Sequence, residues 1–206
     1  MNKSIGGIEL RSISKGIEVT DFMVKKAQVE IIYFRSICPG KFIALVSGNE
    51  GEVKVAIDYG VDLGQKYVVD SFVVNNVHEE IISSIKGKYI ECKKGAIGIV
   101  ETSSVCSGLQ ALDRVLKESN VTIVKIQLAF VIGGKFVFTV SGELSDIQNG
   151  IEVMKSIINN NKIINISIVP SPDDQILEFL KKWFYINFNF KIRKVRIWEL
   201  MRLLFI

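Results

Sequence analysis

Ile5-Gly6-Gly7-Ile8-Glu9 near the start of the chain reads against Ile97-Gly98-Ile99-Val100-Glu101 near its middle. At the same spacing Ser12 meets Ser104, Gly16 meets Gly108, Asp21 meets Asp113, Lys25 meets Lys117 and Val29 meets Val121. Two extra residues then enter the second copy, after which Gly40-Lys41-Phe42 meets Gly134-Lys135-Phe136 and Ser47-Gly48 meets Ser141-Gly142. Matches along one nearly constant register mark an internal duplication. The 206 residues therefore divide into two copies of one domain of ordinary size. The expected boundaries are residues 4–92 and 96–180, joined near Lys93-Lys94-Gly95, with a tail at 181–206.

Each copy carries the same order of patterns. A strand at Ser4 to Leu10 leads into a helix in which Ile17, Val24 and Ala27 can share a face. Two β-branched and aromatic runs, Val29 to Ile37 and Lys41 to Ser47, flank a Pro39-Gly40 turn signal and predict a hairpin. Ser47-Gly48-Asn49-Glu50 opens a second helix with acidic residues in its first turn, where the helix dipole favours them. Its apolar face is Val53, Ala56 and Ile57. A strand from Tyr67 to Val74 and a short helix from Glu79 to Ile85 close the copy. The second copy runs likewise: strand at Ala96, helix from Cys106 to Glu118, hairpin from Val121 to Val140, helix from Leu144 to Ile158, strand from Ile163 to Val169. Four antiparallel strands with helices against one face make an α+β layer structure.

Composition narrows the function. Hydrophobic residues make up 48% of the chain, enough for a real core. Of the net charge of +4, the stretch from Lys181 to the end holds +6, with seven basic residues against Glu199. Residues 1–180 are therefore mildly acidic, at −2, and offer no basic face for nucleic acid. Cys38, Cys92 and Cys106 lie far apart and form no C-x-x-C pair, which fits a reducing compartment and argues against a zinc knuckle. Met1-Asn2-Lys3-Ser4 runs straight into a strand, so no signal peptide is expected, and no apolar run reaches membrane-spanning length. No nucleophile–base pair or ligand set stands out within the chain, so the protein is expected not to be an enzyme.

The Cys38-Pro39-Gly40 tip is the chemically suggestive point. A cysteine there is presented to the outside of the fold, although a free cysteine often does no more than fill a gap as a small apolar residue.

These residues resemble the shell-protein domain of bacterial microcompartments, the BMC domain. The resemblance rests on Ile-Gly-x-x-Glu, on Asp-x-Met-Val-Lys-x-Ala at Asp21 to Ala27, on Gly-Lys-Phe, and on Ser-Gly before an acidic-capped helix, and it covers residues 4 to about 180. Val74-Asn75-Asn76-Val77-His78-Glu79-Glu80 aligns with that domain's closing segment, with Asn76 and Ser171 where an arginine is usual. The resemblance implies an α+β fold of two tandem BMC domains, each a ferredoxin-like variant, and the class in which three chains form a pseudo-hexagonal tile. It also implies a place in the shell of a cytoplasmic organelle, with neighbouring hexameric and trimeric shell proteins as partners. Neither nucleic acid nor a membrane is expected as a partner.

The stretch Ile37 to Phe42, with Ala129 to Phe136 in the second copy, is similar to the tandem shell proteins of propanediol-utilisation compartments. In those proteins the cysteine at this position faces the three-fold pore and ligates an iron–sulfur cluster. The implied pore loops are Ile37, Cys38, Pro39 and Gly40 with Ile132, Gly133 and Gly134. The implied cofactor is one [4Fe–4S] cluster per trimer, held by Cys38 from each chain and serving electron transfer or cluster exchange, with a redox enzyme as a further partner. Lys25 and Lys117 match the lysines that shell tiles use at their edges; an exposed helix lysine is otherwise merely solvated.

Two other readings stay open. One is a shell tile with a metal-free metabolite pore, and the other is a small trimeric ligand-binding or signalling protein built from the same layers. His78 reads as structural, Cys92 and Cys106 as incidental, and the recurrence of Glu9 at Glu101 as a product of duplication. The tail from Lys182-Trp183-Phe184-Tyr185 to Ile206 is aromatic and basic without a clean period. It reads as a docking segment, an added strand, or sequence never selected for folding, the last being favoured because so apolar an exposed run promotes aggregation.

Overall fold

The duplication extends to the irregularities of the sheets. The computed structural model describes residues 3–90, 95–129 and 132–180. In the first copy β1 (Ser4–Leu10), β2 (Val29–Ile37), β3 (Lys41–Gly48) and β4 (Val68–Val74) form an antiparallel sheet in the order β2-β3-β1-β4. In the second, β5 (Ala96–Thr102), β6 (Thr122–Leu128), β7 (Phe136–Gly142) and β8 (Ile163–Val169) pair in the order β6-β7-β5-β8. Ile8 stands opposite Ala44 and Ser71, as Val100 stands opposite Phe138 and Ile166. The register shifts at Glu9/Leu10 and again at Glu101/Thr102, and at Ile31/Tyr33 and again at Ile123/Lys125.

Helices are interleaved with these strands. They are α1 (Ile13–Lys26), α2 (Glu50–Gly64), α3 (Glu79–Ile85), α4 (Val105–Glu118) and α5 (Leu144–Ile157). Ser12 and Ser104 cap α1 and α4, each hydroxyl accepting from the backbone N–H three residues on. Val53, Ala56 and Ile57 are buried on α2 as expected.

The expected face of α1 is corrected. Its buried stripe is Gly16, Val19, Thr20 and Met23, with Ala27 just beyond its end, and Ile17 is exposed. Gly16 explains the rotation, since a Cβ there would lie 2.5 Å from the Phe42 ring. The bare glycine surface is therefore the part of α1 that can press onto β3.

Alternation along β1 divides the first sheet into two apolar faces. Gly6, Ile8 and Leu10 face α1 and α2. Ile5, Gly7 and Glu9 point the other way, toward Leu45 and Phe72. This second face does not meet solvent. Ile5, Ile43, Leu45 and Phe72 share one apolar cluster with Val105, Leu109 and Leu112 of α4. The helix of the second copy thus roofs the sheet of the first, and α3 packs in turn against β6. Residues up to Pro172 form one compact unit; Asp173 onward forms another, in which 174–180 are helical. Cys92, Phe130, Val131 and the tail 181–206 lie outside the described residues.

Gly108 on α4 repeats the role of Gly16: a Cβ there would fall 2.2 Å from the Phe136 ring and 2.6 Å from Thr102 Oγ1. Alanine gains about 1 kcal/mol in helix propensity, against about 1–3 kcal/mol for overpacking a closed core. Gly108→Ala is therefore expected to destabilise the chain, read as a lowered urea midpoint at unchanged slope.

Candidate functional site

Cys38 lies exposed in the turn that joins β2 to β3. Pro39 follows through a cis peptide bond, and Gly40 takes φ +73°, a left-handed value suited to glycine. The corresponding tip between β6 and β7 carries Gly133 at φ +66° and Gly134 at φ +79°. The two tips touch: a Cβ on Gly134 would fall 2.3 Å from the Cys38 carbonyl oxygen. One chain therefore sets its two expected pore loops side by side, one bearing a thiol and the other Ile132 in its place. At the base of each tip sits a lysine–glutamate pair, Lys41 Nζ to Glu9 Oε2 at 3.5 Å and Lys135 Nζ to Glu101 Oε2 at 3.3 Å.

A single chain offers a cluster one thiolate at this tip. Among the described residues no group of three or more His, Cys, Asp or Glu side chains is arranged to hold a metal ion. Cys106 is no second ligand: it is fully buried, and burial first, then the nearby Glu9 and Asp70 charges, push its thiol well above 9.0. Cys38 is the free and outward-facing thiol, so its chemistry fits an iron–sulfur group that several chains complete together.

Behind the tips lies a polar junction that the sequence alone does not reveal. Glu9, with no solvent exposure, accepts through Oε1 from the N–H of Val105 and, at 3.1 Å, from that of Cys106. These are donors that the first turn of α4 leaves without helical partners. Burial pushes the Glu9 carboxyl above 4.5, while these N–H groups and Lys41 pull it back. Asp70, across the β1–β4 ladder from Glu9, accepts from the Ser104 hydroxyl and, at 2.7 Å, from that of Ser107. Lys162 Nζ stands 3.4 Å away. Burial raises the Asp70 carboxyl, but the two hydroxyls and Lys162 outweigh it and hold it below 3.8. Cys106, expected to be incidental, belongs to this junction through its N–H and through a thiol that donates to the Asp70 carbonyl at 3.7 Å.

Three more contacts bind α3 and its approach to the second copy. The His78 N–H donates to Asp113 Oδ1 at 2.9 Å, Glu80 Oε2 accepts from the Ile123 N–H at 2.9 Å, and Lys117 Nζ donates to the Asn75 carbonyl at 3.2 Å. Lys25 and Lys117 therefore differ in surroundings. Lys25 is exposed and pairs with Asp21 at 2.6 Å, whereas Lys117 lies against the first copy within the same chain. The legible clue to the junction is parity: Glu9 alternates with Ile5 and Gly7, opposite the face of Ile8 and Leu10.

The sign of each shift gives a pH prediction. A carboxyl held below its ordinary value stabilises the fold above that value and loses the contribution as pH falls. The stability gap between wild type and Asp70→Asn is expected to be widest at neutral pH and to shrink below about 3.8 in urea titrations. Glu9, shifted upward, contributes in the opposite sense, so Glu9→Gln is expected not to show that narrowing.

Comparison with known proteins assigns the family. The BMC domain model matches residues 4–77 and 96–172. The chain is 40% identical over 177 residues to bacterial microcompartment shell protein PduT of Citrobacter freundii, across 85% of this chain and 96% of that protein. It is 23% identical over 190 residues to carboxysome assembly protein CcmO of Synechococcus elongatus, across 86% of this chain and 68% of that protein. A solved microcompartment protein from Desulfitobacterium hafniense DCB matches with a TM-score of 0.78 at 30% identity, covering 86% of this chain and 99% of that one. The chain belongs to the BMC-domain family and is a structural, non-enzymatic protein of a bacterial microcompartment shell.

Proposed function

We propose that three copies of this chain close into a tile whose central pore is lined by alternating tips, Cys38-Pro39-Gly40 and Ile132-Gly133-Gly134, and that the three Cys38 thiolates hold a [4Fe–4S] cluster. The observation that carries this reading is the exposed Cys38 thiol on a tip packed directly against its thiol-free counterpart. Three-fold symmetry turns one cysteine per chain into three converging thiolates, and Ile132 in the second tip keeps the number at three. Such a cluster, when bound, supplies one-electron transfer and an iron with an open coordination position.

The chain's own residues do the rest. Glycine at 134 lets the tips approach until backbone meets backbone, which holds Cys38 at the mouth of the pore. Lys41 and Lys135 are each paired with a glutamate at the base of the tips, which anchors the tips without adding net charge there. Lys25 is the tile-edge contact toward neighbouring shell proteins, and Lys117 joins it to the extent that the junction leaves it accessible. Electron passage or cluster exchange across the shell is then the function of the pore, with a redox enzyme on one side as partner.

The test is oxygen-free purification of the full chain and of Cys38→Ala, with iron and sulfide assays and electron paramagnetic resonance after dithionite reduction. The expected result is about four irons per trimer, lost in Cys38→Ala while the trimer persists. A well-formed trimer without iron, even after anaerobic reconstitution, would leave a shell tile with a metal-free pore.

A further inference from the structure

The two domains are alike in sequence and register but not in what covers them. Ile13 and Ile17 on α1, and Ile31 and Phe34 on β2, are 40–48% exposed. Their counterparts Val105, Leu109, Ile123 and Ile126 are at most 3% exposed. The difference arises because the outer face of the first sheet and α3 lie over α4 and β6. The converse also holds. Glu9 and Phe72 on the outer face of the first sheet are buried, whereas their counterparts Glu101 and Ser167 on the second sheet reach solvent. The chain thus carries one completed junction and the two unmatched halves of another.

We infer that these halves meet between copies of this chain, so that Glu101 of one copy receives the N–H groups of Ile13 and Ser14 in a second copy, as Glu9 receives those of Val105 and Cys106 within the chain. This rests on the proposal that the chain assembles with itself, and adds which surface meets which and through what contact.

Four observations support that occupant. The exposed face of α1 repeats, position by position, the face of α4 that the first sheet covers. Glu101 already has its lysine, Lys135, as Glu9 has Lys41, so the carboxylate is oriented and 32% of its side chain is open to a partner. Ser12 caps α1 as Ser104 caps α4, which leaves the same first-turn donors facing outward. Gly40 agrees: nothing lies within 4 Å of its would-be Cβ, whereas the equivalent Gly134 is pressed against the Cys38 carbonyl. A contact of this kind is heterologous, one surface meeting a different one, and repeats head to tail until it closes.

The new junction is not a perfect image of the first. Asn165 stands where Asp70 stands, and Lys15 where Ser107 stands. The between-chain contact therefore holds one carboxylate where the within-chain contact holds two. Assembly rests on Glu101 more heavily than the junction within the chain rests on Glu9.

The experiment compares full-length wild type, Glu101→Gln and Ile17→Asp by light scattering over a dilution series, with circular dichroism of each. Ile17 is exposed in the single chain, so its replacement leaves that chain's core intact. Two hydrogen bonds lose their charged acceptor, so Glu101→Gln is expected to raise the half-assembly concentration about tenfold or more. It is also expected to speed amide exchange at Ile13 and Ser14 while leaving Val105 and Cys106 protected. Ile17→Asp is expected to stay monomeric with an unchanged helical signal. A trimeric wild type with Glu101→Gln assembling equally well overturns this inference and leaves the tile standing. A wild type that stays monomeric, or assembles only when a different shell protein is added, overturns both.

Discussion

The burial of Glu9 against the start of α4 fixes how the two domains of this chain meet. Removing a charge such as Glu9 from water costs several kcal/mol unless partners replace its hydration. Here the first turn of α4 offsets part of that cost, because its Val105 and Cys106 N–H groups have no helical acceptors of their own. The helix dipole adds to the attraction. Neither the carboxylate nor the helix start is satisfied until the two domains meet, so the polar contact selects one docking arrangement among those the apolar surfaces allow. Lys41 extends the effect, because it neutralises Glu9 from the base of the Cys38 tip. The position of the tip and the angle of the junction are thereby coupled through one ion pair.

Duplication gave the protein identical parts, and context gives them different tasks. Ile17 and Leu109 occupy the same place on their helices, yet one is exposed and the other buried. Lys25 and Lys117 share a motif, yet only Lys117 touches the other domain of its own chain. Cys38 and Ile132 share a loop position, and only one of them carries a thiol. In the proposed three-chain tile, two slightly different copies would let the ring alternate its properties from position to position, which six identical single domains cannot do.

Most of the elements are legible because each rests on local rules. β-Branched and aromatic strand runs, the Pro39-Gly40 turn and the acidic first turn of α2 depend on residues within a few positions of one another. The face of α1 is not legible in this way. Ile17 and Val24 are apolar like the buried Val19 and Met23, and the choice falls to Gly16 against Phe42, residues that only the sheet brings together. Glu9 reads along the chain as an echo of Glu101, since nothing within its own strand shows that a helix from the other domain starts beside it.

Short-range patterns and their repetition carry the duplication, the order of strands and helices, the exposed cysteine at a hairpin tip and the family, so all of these can be read from the amino acids alone. Folding in three dimensions was needed to cover the first sheet on both faces, to bring the two tips into contact, and to bind Glu9 and Asp70 to the start of α4. These features depend on contacts between residues well separated along the chain, from Asp70 to Ser104 up to Glu9 to Cys106. Such contacts are selected by shape and by unsatisfied polar groups rather than by any periodicity along the chain.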